Sequence, residues 1–156
     1  MADDATRFIG GPQARSQAWR GFMTIAGAWA MSGQSMFAVI EKATGRWIGR
    51  VGPWFPDGWP GAEVGGGIVP DAWGKGYAVE ASTAAIDWVF DQRGWDDVIH
   101  CIDPDNTPSQ RVAARLGSVN RGRCQMPTPY EDMVIDAWGQ TRDEWRARRR
   151  GIQNAS

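Results

Sequence analysis

Trp73-Gly74-Lys75-Gly76-Tyr77-Ala78 is the stretch that decides how this chain folds. It lies between an apolar run that contains three glycines, residues 63–70, and an amphipathic segment, residues 79–92. This order predicts a strand, a glycine-rich turn and the start of a helix. The first N–H groups of a helix have no intrahelical partners and carry a partial positive charge. Because glycines let a ligand approach those groups closely, the stretch is a candidate cradle for a pyrophosphate.

Two common phosphate-binding motifs do not fit this stretch. The Walker pattern, G-x-x-x-x-G-K-S/T, has its lysine after the second glycine, whereas Lys75 lies between Gly74 and Gly76. The dinucleotide fingerprint, G-x-G-x-x-G, needs a third glycine where Val79 stands. A bare G-x-G is weak by itself, since an ordinary strand-to-helix turn contains it too. The sequence therefore disfavours a nucleotide-binding protein of either class.

A third motif fits better. The stretch resembles the acetyl-CoA-binding signature of the GNAT N-acetyltransferases, which is Gln or Arg, two free positions, Gly, one free position, then Gly or Ala. Gly76 and Ala78 stand in the last two fixed places. Trp73 replaces the usual Gln or Arg, which is typical of the branch that resembles the RimJ/RimL acetyltransferases, W-G-K/R-G-Y-A. The flanking residues 62–65, 80–81 and 103–109 agree, and the resemblance extends over residues 7–145.

Composition indicates one soluble globular domain over residues 1–156, with 42% hydrophobic and 22% charged residues. The net charge of −1 gives no electrostatic reason to expect a nucleic-acid partner. No apolar run reaches membrane-spanning length, and the first residues do not form a signal peptide, so a cytosolic protein is expected. Cys101 and Cys124 lack metal-ligand spacing and are expected to be small buried apolar residues.

Periodicity and turn residues predict an α/β (α+β) fold with the order ββ-β-α-β-α-β-β between two terminal helices. In the helix at 76–92, Tyr77, Ala81, Ala84, Ala85 and Trp88 are predicted to face the core. The predicted elements are a helix within 7–34 with Pro12 in its first turn, strands at 36–41 and 46–51, a loop at 52–61, a strand at 62–69, the helix at 76–92, a strand at 97–102, a helix capped by Asn106 or Thr107 and ending at Leu116, strands at 118–125 and 132–138, and a basic helix opened by a Thr141–Glu144 capping box.

The resemblance implies a GNAT-like mixed, mostly antiparallel sheet flanked by helices. It also implies that the strand at 62–69 splays from its neighbour, so that backbone groups of Ile68 and Val69 pair with the pantetheine arm of acetyl-CoA. The family normally opens with a strand and an acidic helix before the segment that resembles residues 7–11, and this sequence starts almost at that segment, so we expect the given sequence to lack the first strand. We expect either a longer natural protein with an upstream strand, or self-association, for example as a homodimer, through the exposed sheet edge.

Acetyl transfer from a thioester to an amine needs a base, donors for the oxyanion and an acid for the thiolate. Glu63 is the best candidate for the base, with Glu131 and Asp132 as rivals and a structural strand-end role as the alternative. Asn106 and Ser109 match the family's N-x-x-S pattern, in which the Asn binds the pantetheine arm and the Ser is a proposed acid. Helix capping is the alternative role for Ser109.

The sequence thus predicts an acetyl-CoA-dependent N-acetyltransferase for a primary amine, either a protein N-terminus or a small molecule. A non-catalytic acyl-CoA sensor of the same fold is the alternative. Acceptor contacts are expected from residues 29–34, from residues 53–60 and from the last hairpin. The loop at 52–61 forms either a lip over the substrate site or a loop packed by its own large side chains. His100 is the only histidine, is expected to be structural, and no metal site is predicted. The candidate cofactor-binding residues are Ile68, Val69, Trp73, Gly74, Lys75, Gly76, Tyr77, Ala78 and Asn106.

Overall fold

The structure is a computed structural model that describes residues 7, 8 and 11–153. In that part of the chain a six-stranded sheet is flanked by four helices. The elements are α1 (Arg15–Ser32), β1 (Phe37–Glu41), β2 (Arg46–Trp54), β3 (Glu63–Ile68), a short 3-10 turn (Pro70–Ala72), α2 (Tyr77–Gln92), β4 (Asp97–Ile102), α3 (Thr107–Leu116), β5 (Val119–Cys124), β6 (Ile135–Thr141) and α4 (Arg142–Gln153).

The strands lie in the order β1-β2-β3-β4-β6-β5. The pairs β1–β2, β2–β3, β4–β6 and β5–β6 are antiparallel. The central pair, β3–β4, is parallel and joined at one position, Glu63 opposite Ile99. The predicted mixed, mostly antiparallel sheet is therefore confirmed, and its middle is where two neighbouring strands separate.

The hydrophobic core lies between the sheet and α2, α3 and α4. Ile48, Val64 and Val98 contribute from the strands, and Leu116 and Trp145 close the core from α3 and α4. Burial of these side chains supplies most of the free energy that holds the layers together. Four residues of α2 predicted to face the core do so, since Ala85 is buried and Tyr77, Ala81 and Trp88 pack against the core. Ala84 is exposed, contrary to prediction, and the buried residues also include Ile86, Val89 and Phe90.

The basic helix α4 is attached to α2 through an indole hydrogen bond and two ion pairs. The Trp145 indole N–H donates to Asp87 Oδ1 at 2.7 Å. Arg146 and Arg149 each form an ion pair at 3.2 Å, with Asp91 and Asp87 respectively. The predicted capping box is confirmed, because Thr141 N–H donates to Glu144 Oε2 at 2.7 Å and Glu144 N–H donates to Thr141 Oγ1 at 3.2 Å.

Helix α1 packs against the rest of the protein through its C-terminal end. None of its residues is buried, and Trp19 and Phe22 are 61% and 59% exposed. Trp29 is the anchor, since its ring contacts those of Phe37 and Trp88 and its indole N–H donates to Met36 O at 3.1 Å. The helix ends at a left-handed glycine, Gly33.

Several predicted boundaries were wrong. Helix α1 begins at Arg15, so Pro12 lies before it and not in its first turn. Strand β2 continues through residues 52–54, which were assigned to a loop, because Trp54 pairs with Glu63. Strand β6 runs to Thr141 instead of ending at residue 138, because its polar end pairs with Asp97 on β4. In each strand, hydrogen bonding to a distant segment extends the element beyond its apolar run.

Strand β1 pairs with β2 on one side, and within the described residues no strand pairs with its other side. Residues 1–6 and 9–10, on which the expectation about a missing first strand depends, lie outside the described residues. Self-association through this edge stays a prediction. Over residues 7–8 and 11–153, no helix is long and apolar enough to cross a membrane.

The three consecutive glycines of β3 meet different surroundings, which allows a matched test. A Cβ on Gly66, whose φ is +147°, would lie 2.1 Å from Arg50 O on β2, whereas a Cβ on Gly67 would meet nothing within 4 Å. We expect Gly66→Ala to lower the free energy of unfolding by about 3 kcal/mol or more, through backbone strain and overlap. Gly67→Ala should change it by less than about 1 kcal/mol.

Denaturant unfolding of both variants measures this difference. Equal free energies of unfolding for Gly66→Ala and Gly67→Ala would show that β2 does not approach β3 as closely as described.

Candidate active site

A cleft of about 670 Å³ opens where β3 and β4 separate. The strands form its floor, and α2 and α3 form its walls. Its lining includes Val64, Gly66, Gly67, Ile68, His100 and Ile102 from the strands, residues 72–74 and 76–79 from the turn and start of α2, and Asn106, Pro108, Ser109, Arg111, Val112 and Arg115 from α3 and the residue before it.

The glycine-rich turn places the start of α2 at this cleft. Gly74 and Gly76 have φ values of +75° and +84°, a left-handed conformation that favours glycine. Gly76 is the N-cap of α2, and among the described residues no side chain caps it. A Cβ on either glycine would meet nothing within 4 Å. The first N–H groups of a 16-residue helix are therefore accessible from the cleft, an arrangement that suits an anion.

Three side chains of the signature fix the turn. The Trp73 indole N–H donates to Ile68 O at 2.6 Å, so the tryptophan closes the turn onto the end of β3. The Tyr77 hydroxyl donates to Glu41 Oε1 at 2.8 Å, and Lys75 Nζ lies 3.8 Å from the same oxygen. A hydrogen bond from Thr44 and this one from Tyr77 lower the pKa of Glu41. The Lys75 ammonium thus points to Glu41 at the end of β1, and its backbone belongs to the turn.

The edge of β3 that faces the cleft carries Gly66 and Ile68. Backbone groups of successive strand residues point to opposite neighbours, and Val69 N–H donates to Ile48 O on β2 at 2.8 Å. Its amide is therefore used on the side away from the cleft. Since Ile68 O is bound by Trp73, the groups left on the cleft edge are those of Gly66 and the Ile68 N–H. Because every second residue of a strand directs its backbone groups to the same edge, the choice of Ile68 already implies Gly66 and excludes Val69. That step needs only the sequence.

Glu63 is buried on the opposite face of β3 from Val64, which lines the cleft. Its Oε1 accepts from Cys101 N–H at 3.0 Å, and its Oε2 accepts from the Trp59 indole N–H at 2.6 Å. Burial raises the pKa of Glu63 to about 6, although the two donors oppose that effect. A carboxyl group with this pKa exchanges its proton near neutral pH.

The rival carboxylates lie in the loop that faces Trp59. The Tyr130 ring contacts the Trp59 ring, with centroids 6.2 Å apart. Glu131 and Asp132 follow it and are exposed, and Glu131 accepts a hydrogen bond from the Thr128 hydroxyl at 3.1 Å. The large side chains of residues 55–61 contact residues outside that loop, and its role as a lip over the substrate stays a prediction. Phe55 packs on Trp95, while Trp59 covers Glu63.

Asn106 is the N-cap of α3, and its Oδ1 accepts from Ser109 N–H at 3.2 Å. The cap is therefore formed by the Asn side chain and not by Ser109 or Thr107. The amide nitrogen of Asn106 remains to donate elsewhere. Both Asn106 and Ser109 line the cleft, so the structure brings together the two residues of the N-x-x-S pattern and the glycine-rich turn.

Sequence reasoning missed several residues of the site. Arg7, Phe8, Arg111 and Arg115 line the cleft. The spacing of Arg111 and Arg115, one helical turn apart after a cap, is a signal that could have found them.

The remaining titratable groups near the site are not free to act as nucleophiles or metal ligands. His100 is buried, as expected of a structural histidine. Cys101 and Cys124 are half-buried instead of buried. Burial, and next the charge of Glu63, raise the pKa of Cys101, so its thiol stays protonated. Over the described ranges, no group of three or more His, Cys, Asp or Glu residues could hold a metal ion.

Comparison with known proteins agrees with this geometry. Residues 1–119 match the family model described as "Acetyltransferase (GNAT) domain". An uncharacterised N-acetyltransferase of Bacillus licheniformis, p20, is 32% identical over 111 residues, which are 70% of this chain and 62% of that protein. The chain spans only about half to two thirds of the curated relatives that it matches, 51% and 62% of their lengths.

Two solved structures share the fold. An acetyltransferase from Agrobacterium tumefaciens superposes with a TM-score of 0.76 and 25% identity, over 86% of this chain and 77% of that one. The aminoglycoside acetyltransferase AAC(6')-Ib, in complex with coenzyme A, superposes with a TM-score of 0.75 and 15% identity, over 92% of this chain and 86% of that one.

The hydrogen bond from Trp59 stabilises the ionised form of Glu63, which predicts the effect of removing it. Trp59→Phe should raise the pKa of Glu63 above its value of about 6, because burial is then opposed by the Cys101 amide and no longer by the indole. A ¹³C NMR titration of the Glu63 carboxyl carbon measures this pKa. Trp95→Phe, which alters the same loop through Phe55, is the control. An unchanged titration in Trp59→Phe would contradict the described contact.

Proposed function

Because this chain belongs to the GNAT acetyltransferase family, we propose that it moves an acetyl group from acetyl-CoA to a primary amine. The observation that carries the proposal is the cleft between β3 and β4, into which the uncapped N-terminus of α2 opens. An anion site at the end of a narrow groove suits the pyrophosphate and the extended arm of coenzyme A. The sequence signature of the RimJ/RimL-like branch, with Trp73 in its first position, supports the same assignment.

The residues of the cleft fit acetyl-CoA. The amides of Gly74–Ala78 would hold the pyrophosphate, since left-handed glycines leave space in front of them. Gly66 and Ile68 would pair with the pantetheine arm along the free edge of β3, in the place that the sequence assigned to Ile68 and Val69. The Asn106 amide nitrogen would donate to the same arm. Arg111 and Arg115 add positive charge to the lining of the cleft. The bound thioester supplies the acetyl group.

Two side chains of the chain are suited to proton transfer. Glu63, with a pKa of about 6, accepts the proton of the amine directly or through water, from the face of β3 opposite the cleft. Ser109, which lines the cleft at the start of α3, would donate to the sulfur. The amine would enter past Trp59 and Tyr130. Glu131 and Asp132, which are exposed beside this entrance, are the alternative candidates for the base.

The acceptor is a small-molecule amine or a protein N-terminus, and the protein is expected in the cytosol. Release of coenzyme A thiol from acetyl-CoA in the presence of an amine library tests the proposal. Thiol release with one group of amines supports the transferase. Tight binding of acetyl-CoA without release for any amine supports the alternative, a non-catalytic acyl-CoA sensor.

The cradle predicts a charge-specific effect at Gly76. Gly76→Asp and Gly76→Asn have nearly the same shape and the same strain at positive φ, and space exists for both. We expect Gly76→Asp to weaken coenzyme A binding by about a further 10-fold relative to Gly76→Asn, because a carboxylate beside the phosphates adds repulsion.

Calorimetric titration with coenzyme A, after a check of thermal unfolding, measures this difference. Equal affinities in the two folded variants would place the pyrophosphate elsewhere.

The raised pKa of Glu63 predicts an acidic limb in the rate profile. A base must be deprotonated, so kcat/KM should fall as the pH drops below about 6. Glu63→Gln should remove this limb and lower kcat by about 100-fold, with a smaller effect on the KM for acetyl-CoA.

The test is best made in the Trp59→Phe background. Both partners of Glu63 are donors. A glutamine in its place has one oxygen that accepts and one NH2 group that donates, so one of the two partners would face another donor. With Trp59 replaced, the side-chain oxygen of the introduced glutamine can still accept from Cys101 N–H. Comparison with the Trp59→Phe single variant isolates the loss of the base. An acidic limb that survives in the double variant would move the base to Glu131, Asp132 or no side chain.

A further inference from the structure

The separation of β3 and β4 occurs at one defined hydrogen bond. Ile99 N–H donates to Ala62 O at 2.9 Å, beside the single bridge between the strands. In a parallel ladder the bonds are evenly spaced, so a continuing pair would next have Cys101 N–H donate to Val64 O. That bond is replaced by two others.

Each partner of the replaced bond is bound by a side chain of the opposite strand. Cys101 N–H, on β4, donates to Glu63 Oε1 at 3.0 Å. Val64 O, on β3, lies 2.6 Å from His100 Nδ1. Since buried backbone groups require partners, these two side chains allow the strands to separate without leaving an orphaned donor or acceptor.

The surrounding hydrogen bonds determine which His100 nitrogen carries the proton. Val64 O can only accept, so Nδ1 is the donor. His100 Nε2 then accepts from the Ser118 hydroxyl at 3.0 Å, and Ser118 Oγ in turn accepts from Gln140 Nε2 at 2.9 Å. Gln140 Nε2 also donates to Leu116 O at 3.0 Å. His100, Ser118 and Gln140 are all more than nine-tenths buried.

We propose that His100 is a positioning residue that holds the coenzyme cleft open by occupying Val64 O in place of Cys101 N–H. Its ring lines the cleft, directly where the strands part. Without the imidazole, the buried carbonyl is left to pair with Cys101 N–H, and the strands close by one step of the ladder. The next bond of the ladder would then join Gly66 N–H to Cys101 O, which shortens the edge of β3 that is offered to the pantetheine arm. This role rests on the proposed function, since coenzyme A is the ligand that needs the cleft.

Two variants of His100, one that keeps a side-chain N–H donor and one that removes it, test this positioning role. His100→Asn keeps a side-chain N–H near the position of Nδ1, and His100→Leu removes the donor while retaining apolar volume. We expect His100→Leu to raise the Kd of coenzyme A and the KM of acetyl-CoA by about 10-fold, with kcat at saturation within about 3-fold of the wild type. In His100→Asn both the Kd of coenzyme A and the KM of acetyl-CoA should stay within about 3-fold of the wild-type values.

The closure itself is observed by NMR without any ligand. A scalar coupling across a hydrogen bond between the Cys101 amide nitrogen and the Val64 carbonyl carbon should be absent from the wild type and from His100→Asn, and present in His100→Leu. Absence of the coupling from folded His100→Leu would overturn the proposal. So would an unchanged Kd in that variant, or an Asn variant as weak as the Leu variant, which would indicate packing alone.

A second variant covers failure of His100→Leu to fold. Ser118→Ala removes the hydroxyl that donates to His100 Nε2, one of the two hydrogen bonds that select the tautomer. The Val64–Cys101 coupling should therefore appear at partial intensity and the Kd should rise less than in His100→Leu. Absence of both changes in this variant would overturn the proposal. The ligand-free coupling also separates the two hypotheses. A wild type that does not bind coenzyme A refutes the proposed function, while the coupling still decides what His100 does.

Discussion

The parallel pairing of β3 with β4 stops after one bridge, and the arrangement of the site depends on that interruption. On one face of the sheet it opens the cleft against α2 and α3. On the other face it leaves Cys101 N–H for the Glu63 carboxylate. A continuous parallel ladder would have removed both features, because the backbone groups would have satisfied each other.

Glu63 illustrates how one side chain serves the fold and the proposed chemistry together. Its two oxygens accept from Trp59 and Cys101, so it connects the loop after β2 to the centre of the sheet. Burial at the same point raises the pKa of its carboxyl to about 6. A buried carboxylate is costly unless it is hydrogen-bonded, and here the two hydrogen bonds keep the group in place while burial brings its titration close to neutral pH.

The position of α2 depends on contacts at both of its ends. At its start, Tyr77 is held by Glu41 and Trp73 closes onto Ile68. Near its end, Asp87 is bound by Trp145 and Arg149 of α4. These contacts fix the helix whose N-terminal N–H groups face the cleft, so the C-terminal basic helix supports the site from a distance. Helix α1, anchored through Trp29, contributes little to this framework.

The sequence by itself determined the local elements. The glycines of the turn at residues 74–76, the Asn106 cap, the Thr141–Glu144 capping box and the bounds of β4 follow from neighbouring residues, because caps, turns and periodicity are local interactions. Only the tertiary structure decided where β2 and β6 end and that Ile86, Val89 and Phe90 complete the buried side of α2. It alone decided that Glu63 meets Cys101 and that His100 meets Val64, since these groups are 38 and 36 residues apart. Such contacts depend on strand register and on the separation of β3 from β4, which no stretch of neighbouring residues encodes.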